Sequence, residues 1–145
     1  MNHQKFIFKL VLLFLLIYNV KSVLSQEEGL LNKTKSQIKF TETKQLYLQG
    51  NIKTALLNYK EIIALNPSSA KAHFGISRCY YKLHDYKKAK HHAEIAEKND
   101  PKVDEDLHYL MGEIYFRLEK LKKSKTSYEK FVSEIKSKQK IKDYS

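Results

Sequence analysis

Two prolines and four glycines in 145 residues leave this chain with few places to turn. A many-stranded sheet needs frequent turns, so the scarcity argues against an all-β fold and for long helices. The single cysteine, Cys79, excludes an intrachain disulfide. No cysteine stands directly after the apolar N-terminal stretch, which excludes the lipid attachment of a bacterial lipoprotein. A Gly-rich phosphate loop and a Ser/His/Asp arrangement are also missing, so motif-bearing enzyme classes find no support. What is abundant is Lys, Leu, Glu and Ala, residues that suit helices. With 42% hydrophobic and 30% charged content, the composition predicts a folded all-α protein with no enzymatic role and no cofactor.

The formal charge of +11 suggests a polyanion partner until it is located along the chain. Residues 26–116 carry 14 basic and 12 acidic side chains, whereas residues 117–145 carry 10 basic and 4 acidic. The excess beyond the first 25 residues therefore sits mainly in the tail. There Leu121, Tyr128, Phe131, Val132 and Ile135 trace a helical stripe with lysines on the other faces. A solvated helix face explains that pattern. Contact with anionic lipid, glycan or nucleic acid through the same lysines is the alternative, and membrane contact would use this basic C-terminal region. Nucleic acid is not the expected partner, because the chain opens with an export signal.

That signal occupies residues 1–25. Lys5 makes a short basic start, residues 6–20 are apolar apart from Lys9 and Asn19, and Ser22 to Ser25 supply small residues before Gln26. Residues 10–20, with Asn19 as the one polar residue, form the apolar stretch, short of the roughly 20 needed to span a bilayer. Cleavage after Ser25 is expected, with an uncleaved anchor as the alternative. The mature chain would reach the periplasm or cell envelope, be secreted, or enter the secretory-pathway lumen of a eukaryote. Residues 26–35 read as a linker and contain the N-glycosylation sequon Asn32-Lys33-Thr34, which matters only in a eukaryotic host.

From Ser36 the chain repeats with a period of 34. Asn66-Pro67 recurs as Asp100-Pro101, Ala55 as Ala89, and the turn from Gln49 to Lys53 as Leu83 to Lys87. A third copy follows with one inserted residue after Pro101: Tyr80 to Leu83 then matches Tyr115 to Leu118, and Tyr59 matches Tyr128. The copies fall at 36–69, 70–104 and 105–138, followed by a basic tail or the start of a capping helix at 139–145. Each copy divides into two amphipathic segments about a polar turn. Ala89, Ala93 and Ala96 permit close helix packing, and Pro67 and Pro101 end the second segment of each pair. Neither pair can bury its apolar stripe alone, so stacking is required.

These residues carry a resemblance. Tyr80, Ala89, Ala96 and Pro101 in the second copy, and Gly112, Tyr115, Leu118, Tyr128 and Phe131 in the third, make the chain similar to tetratricopeptide repeat proteins. Departures are His73 and His108 at the first aromatic position, Ser124 in place of the close-packing Ala, and no proline closing the third copy. A leader followed by such repeats is also similar to the N-terminal part of bacterial envelope proteins that continue into OmpA-like domains. The resemblance implies three helix-turn-helix units in a short right-handed superhelix, with the first helix of each pair lining a concave groove that binds a protein or peptide.

Carried over residue by residue, the implied groove positions are Phe40, Lys44, Tyr47 and Leu48; Phe74, Arg78, Tyr81 and Lys82; and Tyr109, Glu113, Phe116 and Arg117. Aromatics and cations alternate there, the residue types of binding hot spots. A packing role for the rings stands beside this. The clamp by which some family members grip the acidic tail of cytosolic chaperones is missing, since Phe40, Lys44, Gly75, Asp106 and Leu110 occupy its places. A secretory-pathway cochaperone is a further implied alternative. His84, His91 and His92 read as solvated polar residues rather than metal ligands. Cys79 reads as a buried small hydrophobe, and Asp104, Glu105 and Asp106 as charges opening a helix.

Overall fold

A computed structural model describes residues 2–142, with side chains described at 7–9 and 12–139. Of the 139–145 segment, residues 143–145 lie outside the described residues, and through Lys142 its backbone continues the last helix. Among the described residues six helices follow one another: α1 (Asn2–Leu48), α2 (Ile52–Leu65), α3 (Ala70–Lys82), α4 (Tyr86–Asn99), α5 (Leu107–Arg117) and α6 (Leu121–Lys142). Among the described residues there is no strand. By internal contacts the chain divides into Met1–Lys35 and Ser36–Ser145.

In the first unit, α1 runs without interruption through residues 26–35, which the sequence reading treated as a linker. The physical reason is local. The segment has no proline, and a single glycine, Gly29, costs a helix about 1 kcal/mol without removing a donor, so nothing breaks the ladder. Asn32 thus lies within a continuous helix and is half-buried. The large apolar side chains described in this unit are exposed, Phe14 and Leu16 among them. By length and composition α1 contains a window capable of crossing a membrane, with a mean hydropathy of 2.0; a leader sequence near the N-terminus meets the same criterion.

In the second unit the helices form a solenoid in which α2 to α6 each pack on the next, and α3 also meets α5. The turns inside the three helix pairs share one geometry. Gly50, His84 and Glu119 adopt left-handed φ values of 84°, 61° and 57°. In each pair the residue after this position returns its N–H to a carbonyl five residues back: Asn51 to Leu46 (2.9 Å), Asp85 to Tyr80 (3.0 Å), and Lys120 to Tyr115 (2.8 Å). Only the first turn uses glycine, which takes this conformation at no steric cost. The residue added in the third copy falls in the 100–106 connection before α5. Within it Asp104 Oδ1 accepts from the Asp106 N–H at 3.0 Å, and Asp106 makes no side-chain cap.

Two apolar clusters make the core. One joins α2 and α3 through Ala55, Tyr59, Ile62, Ala72, Ile76 and Cys79. The other joins α3, α4 and α5 through Phe74, Ala89, Ala93, Ala96, Leu107 and Ile114. Ala55, Ala89 and Ala96 are fully buried, so they do set the close approach of the helix axes. Cys79 is fully buried as well, and burial pushes its thiol up to about 12, leaving it protonated.

Candidate functional site

The groove residues of the first two repeats meet at Arg78. Its guanidinium lies 4.5 Å from the centre of the Tyr47 ring and 5.7 Å from that of Phe74, a cation held between two aromatics. Beside it is a hollow of about 220 Å³, walled by Phe40 and Lys44 of α1, Tyr59 of α2, Lys71 and Arg78 of α3, and Asp104. Tyr47 is half-buried, as is Arg78. Phe74 departs from expectation. Read as a groove-facing contact, it is 5% exposed and belongs to the core, because Arg78 covers its ring and α5 packs against it through Leu107 and Leu110.

A second constellation sits between the second and third repeats. Tyr81 donates its hydroxyl to Glu113 Oε2 at 2.9 Å, and Tyr128 donates to Glu113 Oε1 at 2.5 Å. The Tyr128 bond, with the weaker Tyr81 bond and the Arg117 charge, outweighs partial burial and holds the Glu113 carboxyl below its usual range. Burial and the bond to Glu113 push the Tyr81 hydroxyl upward, and Tyr81 in turn raises Arg117. In sequence Tyr128 is a repeat-pattern aromatic on the apolar stripe of the tail, yet it governs this carboxylate. A tyrosine on the following helix, 15 residues beyond an acidic position, was the available signal.

The remaining groove positions are spread out. Tyr109 is 46% exposed and packs its ring near those of Tyr128 and Phe131. Phe116, at 55% exposed, does not join the hollow beside Arg78. It lines a wider one of about 700 Å³ on α6, with Leu121, Tyr128 and Val132. Leu48 and Lys82 are exposed. Lys71, which the sequence reading passed over, is the cation added by the structure.

The histidines are more engaged than solvated polar residues would be. His73 is buried; its Nε2 faces the Pro67 carbonyl at 3.1 Å, so it donates there, and its Nδ1 meets His92 Nδ1 at 3.0 Å. His92 is half-buried and stacks on Tyr80, a correction to its expected solvation. Burial, then the nearby His73, His91 and Lys60, lower it to about 4. His84 is exposed and bonds the Tyr86 hydroxyl at 2.9 Å, and His91 is exposed beside His92. His108 is buried with Glu97 at Nε2 (3.2 Å) and Glu134 at Nδ1 (2.9 Å), tying α4, α5 and α6 together. On α6, Lys125, Lys130 and Lys138 pair with Glu129, Glu97 and Glu105, which reduces the free positive charge of the basic face.

Residues 46–114 match one tetratricopeptide repeat family model and residues 105–136 match a second, so the two together span 46–136. The chain belongs to the tetratricopeptide repeat family. Among solved structures, this tetratricopeptide repeat protein is similar to YrrB, described as having an unusual peptide-binding site. The identity is 25%, over 66% of this chain and 48% of that one, with a TM-score of 0.62. It is similar to the second repeat domain of Spaghetti (RPAP3), solved with the HSP90 peptide SRMEEVD: 18% identity, 67% and 89% coverage, TM-score 0.63. It is also similar to the type III secretion translocator chaperone SycD of Yersinia enterocolitica: 16% identity, 75% and 82% coverage, TM-score 0.65. The last two likenesses show the fold alone. The matched region spans about half the length of YrrB. No curated protein matches the chain.

Proposed function

We propose that this tetratricopeptide repeat protein is an exported scaffold that binds an extended segment of another protein along the face carrying Tyr47, Arg78, Tyr81 and Glu113. The observation that carries the reading is the Arg78 guanidinium stacked on Tyr47 at the edge of a hollow between two repeats. A half-buried cation clamped on a ring loses little conformational freedom on binding, which suits a hot spot. The described peptide-binding site of YrrB, a 25% identical relative, supports the same class of partner. The role is binding rather than catalysis: the groove presents flat rings and charges, and the buried thiol of Cys79 is out of reach of a substrate.

Export rests on the leader-like layout of residues 1–25, and the expected place is the envelope, the periplasm or the secretory lumen. Sequencing the N-terminus of the chain recovered from its host should return Gln26 as the first residue. Recovery of the intact N-terminus with the chain in the membrane fraction would replace export by anchoring. For the groove, the full chain with Tyr47→Ala and Arg78→Ala should lose the partners crosslinked to the unaltered protein in the envelope or secretory fraction. Undiminished recovery of the same partners, from a variant shown to be folded, would place binding on another face.

A further inference from the structure

We infer that the outer face of the third repeat, formed by α5 and α6, is a second docking site, separate from the groove, that takes one amphipathic helix of another protein. The preceding repeat shows what such a face receives. There the equivalent face of α3 and α4 is covered by α5, which packs Leu107, Leu110, Met111 and Ile114 into one buried cluster with Phe74, Ala93 and Ala96. With the one inserted residue the two copies are offset by 35, so Phe74, Tyr81, Tyr86 and Glu97 correspond to Tyr109, Phe116, Leu121 and Val132. The first four are buried or half-buried, and the second four are exposed, Leu121 at 63%. Phe116, Leu121 and Val132 wall the hollow of about 700 Å³ together with Lys125, Glu129 and Lys136. Side chains that a neighbouring helix shields in one repeat thus lie open in the next, on a patch that continues an interface the fold already uses.

The chemistry of the face selects the helix. In α5 the four covering residues stand at i, i+3, i+4 and i+7, the spacing of one apolar stripe. Two polar contacts accompany them: the Tyr115 hydroxyl donates to Glu94 at 2.9 Å, and His108 Nε2 meets Glu97 Oε1 at 3.2 Å. The two acceptors part ways in the third copy. Glu94 corresponds to Glu129, which keeps a carboxylate for a hydroxyl donor, whereas Glu97 corresponds to Val132, which offers none. The occupant therefore carries the apolar stripe of α5 and a tyrosine at the Tyr115 place, with an apolar residue where α5 has His108. Buried against Val132, a histidine would leave a ring nitrogen without its partner. Lys125 and Lys136 stand on the walls of the hollow, and α6 has eight lysines against two glutamates. That charge favours carboxylates on the flanks of the occupant and disfavours a second copy of this basic helix.

The test uses the full chain in a non-ionic detergent and, as probe, an acetylated and amidated peptide of residues 104–118 of this same sequence, the segment that covers the earlier face. Nuclear magnetic resonance follows the Leu121 and Val132 methyl signals during titration. The peptide with His108→Leu should shift them saturably and bind about fivefold tighter than the unaltered peptide. Adding Tyr115→Phe to it should weaken binding about fivefold, through loss of the hydroxyl donated to Glu129. In the chain, Val132→Glu should reverse the first preference, so that the histidine peptide binds tighter; uptake of peptide by detergent cannot produce that reversal. The chain with Tyr47→Ala and Arg78→Ala should give the same results as the parent, which separates this face from the groove. Absence of a saturable shift with every peptide overturns the proposal, as does a peptide preference that Val132→Glu leaves unchanged. Shifts that follow chain concentration without peptide would assign the face to a second copy and overturn it too. A coding sequence that continues past Ser145 into a helix of this pattern would do the same, by making the occupant part of the chain itself.

Discussion

Ser77 donates its hydroxyl to the carbonyl of Ala89 at 2.8 Å, bridging α3 and α4. One repeat later the same bond runs the other way: Ser124 of α6 donates to the carbonyl of Gly112 on α5 at 2.9 Å. In sequence Ser124 is a departure from a close-packing alanine. In the fold it is a compensated exchange, with the small hydroxyl residue on one helix and the smallest residue facing it on the other. All four positions are buried, so each hydroxyl needs its partner.

Gly75 and Gly112 are glycines because rings lie against them, and the two rings differ in freedom. A Cβ at Gly75 would come within 2.5 Å of the Tyr59 ring, and one at Gly112 within 2.6 Å of the Tyr128 ring. Tyr59 is buried and fixed, whereas Tyr128 is half-buried and has space beside it. Gly75→Ala is expected to destabilise the fold by about 3 kcal/mol and Gly112→Ala by about 1 kcal/mol. Urea unfolding midpoints check both, and the reverse order would show that Tyr128 is the less yielding ring.

Glu119 takes the left-handed turn position that Gly50 fills in the first pair. A side chain there is strained, and the Glu119 side chain is exposed. Glu119→Gly is expected to stabilise the chain by about 0.5–1 kcal/mol, the relief of strain being partly offset by the greater freedom of glycine when unfolded. A thermal melt that rises in the variant is the expected outcome; an unchanged or lower melt would show that the turn holds Glu119 without strain.

The His92 ring is lowered to about 4 in the fold, against an ordinary value of 6.5. Between these limits the unfolded chain binds the extra proton and the folded chain does not, so stability rises with pH across that window. The contribution is complete above pH 6.5 and is lost as the pH falls toward 4. His92→Gln retains an N–H that can donate to His73 Nδ1 while removing the titration. The fall in urea midpoint between pH 7 and pH 4.5 should be smaller in the variant than in the parent, and an equal fall would assign the acid sensitivity to other groups.

Tyr128→Phe removes the largest influence holding Glu113 below its usual range. The Glu113 carboxyl should then titrate at a higher pH, followed by its side-chain carbon resonance, with the Tyr81 hydrogen bond and the Arg117 charge still lowering it in part. A carboxyl that titrates where it did before would mean that Tyr81 and Arg117 suffice.

The repeat was legible because its signals are local or periodic. Pro67 and Pro101 stop helices wherever they occur, and Ala55, Ala89 and Ala96 recur at an interval that identifies a stacked pair without any coordinates. The contacts among the expected groove residues were not legible in the same way. Arg78 meets Tyr47, and Tyr81 meets Glu113, across neighbouring repeats. Phe74 does not face the groove freely, since the identity of a position cannot say how deeply a neighbouring helix covers it.

By itself the sequence determined the helices, their period, the apolar N-terminal stretch and the location of the charge, all read from residue types and their spacing along the chain. The packing of one pair on the next decided the rest. It buried Phe74, brought Lys71 beside Lys44, set His73 against His92, and gave Glu113 its two tyrosine donors. Those contacts join residues 15 to 32 apart, and they depend on the angle and depth at which helices cross. No spacing along the chain encodes that angle; it emerges when small side chains let two helix axes approach and larger ones hold them apart.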